Sequence, residues 1–362
     1  MTVGAGERDD GPVRDAPFRA RPTPELFRML AERYELAPDG DVTDLGGGHL
    51  NLHISTPPGP DWVVRVYAPW VTAERVAFVQ QLRDALRAAG IPVPSHRRTR
   101  DGQSLVEVNG RVAEVDQYVA GKRMDEHRQL MIGMAMLARV HNALDRLGHL
   151  RGPEPVYPNH ITAGDARGSA ERTRAVVASW PDATATEEQI GADMVQLAER
   201  LWPLEAELAA TWHYQHVHGD FWDNNVLFGD AATITAVLDL DFSGWRPRTD
   251  DVALVLYYAT ATPGRTAIDS DHLHWLRACV DVYDAGLDTP LSADERASIP
   301  VAMARTVLFM SRNILALEDD ASDYGAPARP AQRGMLAGMR DELKVFLDLV
   351  DKADDARRIF TE

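Results

Sequence analysis

His218-Gly219-Asp220-Phe221-Trp222-Asp223-Asn224-Asn225-Val226-Leu227-Phe228, with Thr235-Ala236-Val237-Leu238-Asp239 after it, is the stretch on which the reading of this chain turns. Two short runs, Asn225–Phe228 and Thr233–Leu240, predict a hairpin. The hairpin would bring Asn225 and Asp239 together although fourteen positions separate them. Phosphoryl transfer asks little covalent work of a protein. It needs a carboxylate to orient the attacking hydroxyl and accept its proton, and oxygen ligands to hold Mg²⁺ on the nucleotide phosphates. Asp220 supplies the first, and Asn225 with Asp239 the second. Asp241, two residues on and on the same strand face, is the alternative ligand.

Upstream of this stretch, from Val42 to Val119, the texture is strand-rich. Leu50, Leu52 and Ile54 alternate with polar residues, Trp62–Tyr67 is β-branched and aromatic, and Asn109-Gly110 joins 104–108 to 111–117 as a hairpin. One helix, about 72–89, interrupts it and stops at Gly90. Beyond Tyr118 helices dominate, at about 130–144, 190–211, 250–260, 268–285, 293–317 and 328–352. Residues 152–188, rich in Pro, Gly, Ala and Thr, read as a connecting insertion with a short helix. The expected fold class is α+β, with a small N-terminal antiparallel-sheet lobe and a larger, mainly helical C-terminal lobe. The expected divisions are a flexible tail at 1–22, a nucleotide-binding lobe at 23–119, a catalytic and substrate-binding lobe at 120–354 and a tail at 355–362.

The 362 residues leave ample length for a core, and a mean hydropathy of −0.28 with no run of 18 apolar residues argues against a membrane-spanning helix. The first twenty residues hold no apolar segment of the secretory kind, so a cytoplasmic protein is expected. Cys279 is the single cysteine, which excludes an internal disulfide and a cysteine-cluster zinc site. With 55 acids against 38 bases the net charge is −17, unsuited to a broad nucleic-acid surface. That excess suits a cationic small molecule, or simply keeps the protein in solution. Lysine occurs only at Lys122, Lys344 and Lys352.

The H-G-D-x-x-x-x-N-x-x-F motif followed by V-L-D resembles the aminoglycoside phosphotransferase and choline kinase-like superfamily, small-molecule relatives of the protein kinases. The resemblance implies a protein kinase-like two-lobed fold, ATP and Mg²⁺ as cofactors, Asp220 as catalytic base and Asn225 with Asp239 as metal ligands. Gly46-Gly47-Gly48-His49-Leu50-Asn51 looks like the family's G-G-x-x-N phosphate loop, in which glycines let backbone N–H groups approach phosphate oxygens. Glu114 to Tyr118, including Gln117, would be the hinge whose backbone meets a purine. Asp251-Val252-Ala253 is similar to the family's D-L-A, whose Asp braces the site, and His141 would be a packed structural residue. The chain departs from the family at its strand lysine: the strand reads Val63-Val64-Arg65-Val66, so Arg65 must grip the phosphates. Its pairing acid is open between Glu74 and Asp84. Arginine keeps the charge but not the reach or geometry of lysine.

The expected activity is therefore transfer of the γ-phosphoryl group of ATP to a hydroxyl of a small molecule. An aminoglycoside-like or other cationic antibiotic is the leading acceptor. An amino alcohol such as homoserine or choline is the alternative, and a non-catalytic nucleotide-binding regulator a third reading. Candidate acceptor contacts are Trp222 and Trp245, which stack on a sugar or amine or else pack in the core, and the acidic run Glu318-Asp319-Asp320. The oligomeric state is not legible.

Overall fold

The structure, a computed structural model, describes residues 18–37, 41–124, 127–208, 211–324 and 328–362. The chain divides into two compact units, one of residues 1–129, 150–156 and 223–241, the other of 130–149, 157–222 and 242–362.

In the first unit β1 (Val42–Asp44), β2 (Leu50–Ile54), β3 (Trp62–Val66), β4 (Leu105–Val108) and β5 (Arg111–Gln117) form an antiparallel sheet in the order β1-β2-β3-β5-β4. Asn109 and Gly110 both take positive φ, as a two-residue hairpin turn of the mirror-image type requires. Side chains alternate across a strand, and here the alternation separates an apolar face from a polar one. Leu50, Leu52, Val64, Val66, Val106, Ala113 and Val115 pack with Leu26, Leu30 and Tyr34 of α1 (Pro24–Tyr34), whose first turn Thr23 caps. On the other face, α2 (Ala73–Ala88) lays Gln80 and Arg83 against Glu114.

Glu114 is 0% exposed, and its carboxylate accepts from Tyr67 Oη at 2.6 Å, Gln80 Nε2 at 2.7 Å and Arg83 Nη1 at 3.0 Å. Arg83 also reaches Asp116. A smaller sheet in the same unit pairs β6 (Lys122–Arg123), β8 (Val226–Phe228) and β9 (Ile234–Val237) in that order.

The second unit is helical: most of α3 (His127–Asp145), α4 (Ala163–Ala178), α5 (Ala185–Leu208), α6 (Arg248–Thr260), α7 (Ser270–Ala285), α8 (Ala293–Thr306), α9 (Phe309–Tyr324), α10 (Ala328–Asp351) and α11 (Ala353–Thr361). A two-stranded ribbon, β7 (Tyr214–Val217) against β10 (Gly244–Pro247), sits among them.

Four expectations need correction. Residues 152–188 hold the 16-residue helix α4, capped by Thr162, and the start of α5. The helix expected at 293–317 is two helices parted at Val307-Leu308; both residues are buried, so the apolar pattern runs unbroken through the turn. Within the expected tail at 1–22, residues 18–22 are described and Arg19 is buried, paired with Asp44 at 2.6 Å. The expected C-terminal tail is α11, which buries Ala356, Ile359 and Phe360.

Because Glu114 is enclosed by three donors, Glu114→Ala should leave Arg83, Gln80 and Tyr67 buried without it and lower unfolding free energy by about 3–5 kcal/mol. Urea unfolding of the variant checks this; a loss below about 1 kcal/mol would show that water replaces the carboxylate readily.

Candidate active site

In the second unit, the ribbon β7/β10 carries the chain into the turn His218-Gly219-Asp220. Ser243 Oγ donates to the His218 carbonyl at 3.1 Å. Gly219 takes φ +83, and a Cβ there would lie 2.1 Å from the Phe242 carbonyl oxygen, so only glycine fits this turn. Asp251, in the first turn of α6, accepts from His218 N at 2.6 Å and Gly219 N at 2.8 Å, and pairs with His141 Nε2 at 3.0 Å. The other His141 nitrogen meets Tyr283 Oη at 2.6 Å. Burial alone would raise the Asp251 pKa. The hydrogen bond and charge of His141, then the His218 charge and the Gly219 N–H, outweigh it and hold the group below the usual carboxylate range. Asp220 follows this clamp, is 8% exposed, and accepts from Asn159 Nδ2 at 2.6 Å.

In the first unit, Asn225 ends a 3₁₀ turn and its carbonyl accepts from Leu238 N at 2.8 Å, which sets Asn225 across the hairpin from the residue before Asp239. The strand itself ends at Val237, so Asp239 and Asp241 lie beyond it rather than on a strand face as expected. Asp239 takes φ +59, a left-handed conformation that aspartate tolerates and that breaks the extended run. Arg65 Nη1 lies 2.8 Å from Asp241 Oδ2 and 3.5 Å from Asp239 Oδ1, while its Nε donates to Asn51 Oδ1 at 3.0 Å.

Neither Glu74 nor Asp84 pairs with Arg65; its acid partners are the two aspartates after the hairpin. His49 Nδ1 accepts from Ala68 N, which leaves the ring proton on Nε2, 3.5 Å from Asp241. Burial would raise both carboxyl pKa values. Arg65 and His49 pull Asp241 well below the usual range, whereas Asp239, beside the Asp241 charge, is pushed up. An all-oxygen set of Asn225, Asp239 and Asp241 has the hard-donor chemistry that a magnesium-type cation requires.

The glycine loop is braced from both ends. Asp44 Oδ1 accepts from Gly46 N at 2.9 Å, Arg19 Nε donates to the Gly47 and His49 carbonyls, and Asn51 Nδ2 donates to the Gly46 carbonyl at 2.9 Å. Gly46 and Gly47 have φ of 85 and 89. Asn51 thereby ties the loop to Arg65. Gly48 has open space where a side chain would stand.

Of the other expected residues, Gln117 N donates to Ser95 O and Tyr118 N to Asp61 O, while the Glu114 carboxylate lies within the sheet lobe. Trp222 stacks on Tyr258 with ring centroids 4.4 Å apart, and Trp245 packs against His149 and His216. The side chains of Glu318, Asp319 and Asp320, in α9, lie outside the described residues. Asn159 and His49 are contacts that sequence reasoning missed. Asn159 sits in the stretch read as a connector, where no local pattern marks it. His49 lies inside the glycine motif that was read for its backbone alone.

A sequence profile described as the phosphotransferase enzyme family matches residues 41–289. The chain belongs to that family and is, by class, a small-molecule kinase. A homoserine kinase of Zymomonas mobilis is 23% identical over 250 residues, covering 68% of this chain and 71% of that one. Among solved structures, a microcompartment-associated aminopropanol kinase superposes with a TM-score of 0.66 at 14% identity, covering 92% of this chain and 97% of its own. The amicoumacin kinase hAmiN, in complex with AMP-PNP, Ca²⁺ and Ami, gives 0.61 at 15% identity, with 88% and 92% covered. These likenesses support the α+β kinase-like fold.

Since the folded pKa of Asp251 is depressed, its contribution to stability is fully present above its unfolded pKa, about 3.9, and is lost as pH falls through the folded value. Asp251→Asn should therefore flatten the decline of the urea midpoint between about pH 5 and pH 3. An unchanged acid slope in the variant would remove Asp251 from the linkage.

Proposed function

We propose that the protein transfers the γ-phosphoryl group of ATP to a hydroxyl of a small molecule in the cytoplasm, with Asp220 as general base. The supporting observation is the Asp251 clamp: two backbone N–H groups bonded to one buried carboxylate fix the turn that presents Asp220. Asn159 holds one Asp220 oxygen and so sets the carboxylate's rotation. In this reading Asp220 orients the acceptor hydroxyl for in-line attack and takes its proton as the new P–O bond forms and the bond from the γ-phosphorus to the β–γ bridging oxygen breaks, releasing ADP. Asn225 and Asp239 would hold Mg²⁺, with Asp241 the alternative ligand, and the bound cation would supply charge neutralisation on the phosphates. Gly47 and Gly48 offer backbone N–H groups to phosphate oxygens, Gly46 N already donating to Asp44, and Arg65 adds a fixed positive charge. The expected hinge at Glu114–Tyr118 is not an open edge: Gln117 N and Tyr118 N already donate to Ser95 O and Asp61 O, and Val115 O accepts from Arg97 N.

For the acceptor, the homoserine kinase relative supports a small hydroxyl-bearing amino compound. A cationic antibiotic, with resistance as the consequence, is the second reading, favoured by the net charge of −17. Phosphate transfer from labelled ATP to homoserine, choline, amino sugars and aminoglycosides separates the two.

Asp220→Asn should lower kcat by roughly 10²–10⁴-fold, the usual contribution of general-base catalysis, while leaving the Kd for ATP within about threefold. Turnover within about tenfold of the parent enzyme would withdraw the base assignment.

A further inference from the structure

Arg312, in the first turn of α9, differs from Arg248 and Arg305, two buried arginines of its unit that carry acid partners. Arg248 is matched by Glu295, and Arg305 by Glu205 and Asp250. Arg312 has no carboxylate within ion-pair distance among the described residues. Its Nε is shielded from solvent and meets no acceptor among them. Its Nη2 donates to the Pro158 carbonyl. Burial, then the nearby charge of Arg246, disfavours its charged form, and the charge of Asp165 offsets this only in part. A guanidinium stays protonated even so, and one whose terminal nitrogens face no acid among the described residues can take an anion.

Its position says which anion. Pro158, which Arg312 holds, is followed directly by Asn159, which holds Asp220. The guanidinium and the proposed base are thus anchored to consecutive residues, whose Cα atoms lie about 3.8 Å apart. We propose that Arg312 binds a carboxylate of the acceptor while Asp220 addresses its hydroxyl. The substrate class is then small hydroxy acids and hydroxy amino acids, with a few carbons between the two groups. This rests on the reading of Asp220 as the base and narrows the acceptor beyond it.

The test uses a matched pair of acceptors, L-homoserine and 3-amino-1-propanol, which is homoserine without its carboxylate. The full-length enzyme should show kcat/KM for homoserine higher by about 10- to 150-fold, the range of a hydrogen bond to a charged group. Arg312→Gln should raise KM for homoserine by a similar factor while changing kcat/KM for 3-amino-1-propanol by no more than about threefold, with an unaltered circular dichroism spectrum showing that the variant is folded. Arg312→Lys should recover part of the loss, because it restores the charge without the fork.

Equal use of both acceptors by the parent enzyme overturns the proposal. So does a fall in kcat common to both acceptors in Arg312→Gln, which would assign the arginine to the transferred phosphoryl group or to the Pro158 loop. Transfer to aminoglycosides or choline with every carboxylate refused overturns this proposal while keeping the phosphotransfer reading. Transfer to no acceptor at all overturns both.

Discussion

A carboxylate buried with two backbone N–H groups and an imidazole around it has only one comfortable arrangement, and Asp251 is in it. Desolvating that charge would be costly without partners, and the partners it finds are the amides of the turn that carries Asp220. The charge-assisted bonds shape the turn. Gly219 lets the chain pass within reach of Phe242, and His141, itself held by Tyr283, fixes the carboxylate from behind. The residues around Asp220 are understandable as consequences of keeping one anion satisfied inside a helical unit.

The sheet unit solves a similar problem with the polarity of its elements rearranged. Its helix α2 contributes a base, Arg83, and its strand β5 an acid, Glu114, whereas the family pattern anticipated a strand base and a helix acid. With that acid already spoken for, Arg65 turns to Asp241 and Asp239. Two aspartates close together cannot both ionise freely, and the arginine decides the order: Asp241 is held charged while Asp239 is pushed toward the neutral form. A divalent cation drawn to these oxygens would compete with a guanidinium already in place.

Much of this was legible in the sequence because its signals are local. Alternation in β2 and β3, Asn109-Gly110 in its turn, and Val76, Val79, Leu82 and Leu86 at helical spacing in α2 each fall within one window of residues, and the H-G-D to V-L-D spacing marks one hairpin. What was not legible depends on partners distant in the chain. Nothing near Asn159 announces that it meets Asp220 sixty-one positions later. The alternation of β5 shows that Glu114 points away from Ala113 and Val115, but not that three donors enclose it. Arg19 lies in a stretch of tail-like composition, and only its bonds to the glycine loop explain its burial. The short strands β7 and β10 escaped notice because four residues each carry too little periodicity.

The exchange of lysine for Arg65 has a practical corollary. Nucleotide analogues bearing an acylating group mark kinases by transferring that group to a nearby primary amine. The five-stranded sheet and both helices packed on it contain none, since no lysine precedes Lys122. A guanidinium stays protonated and is a poor nucleophile at neutral pH. Arg65 itself offers no amine to acylate, so a reagent of that kind would have to reach Lys122, on β6, the first lysine of the chain.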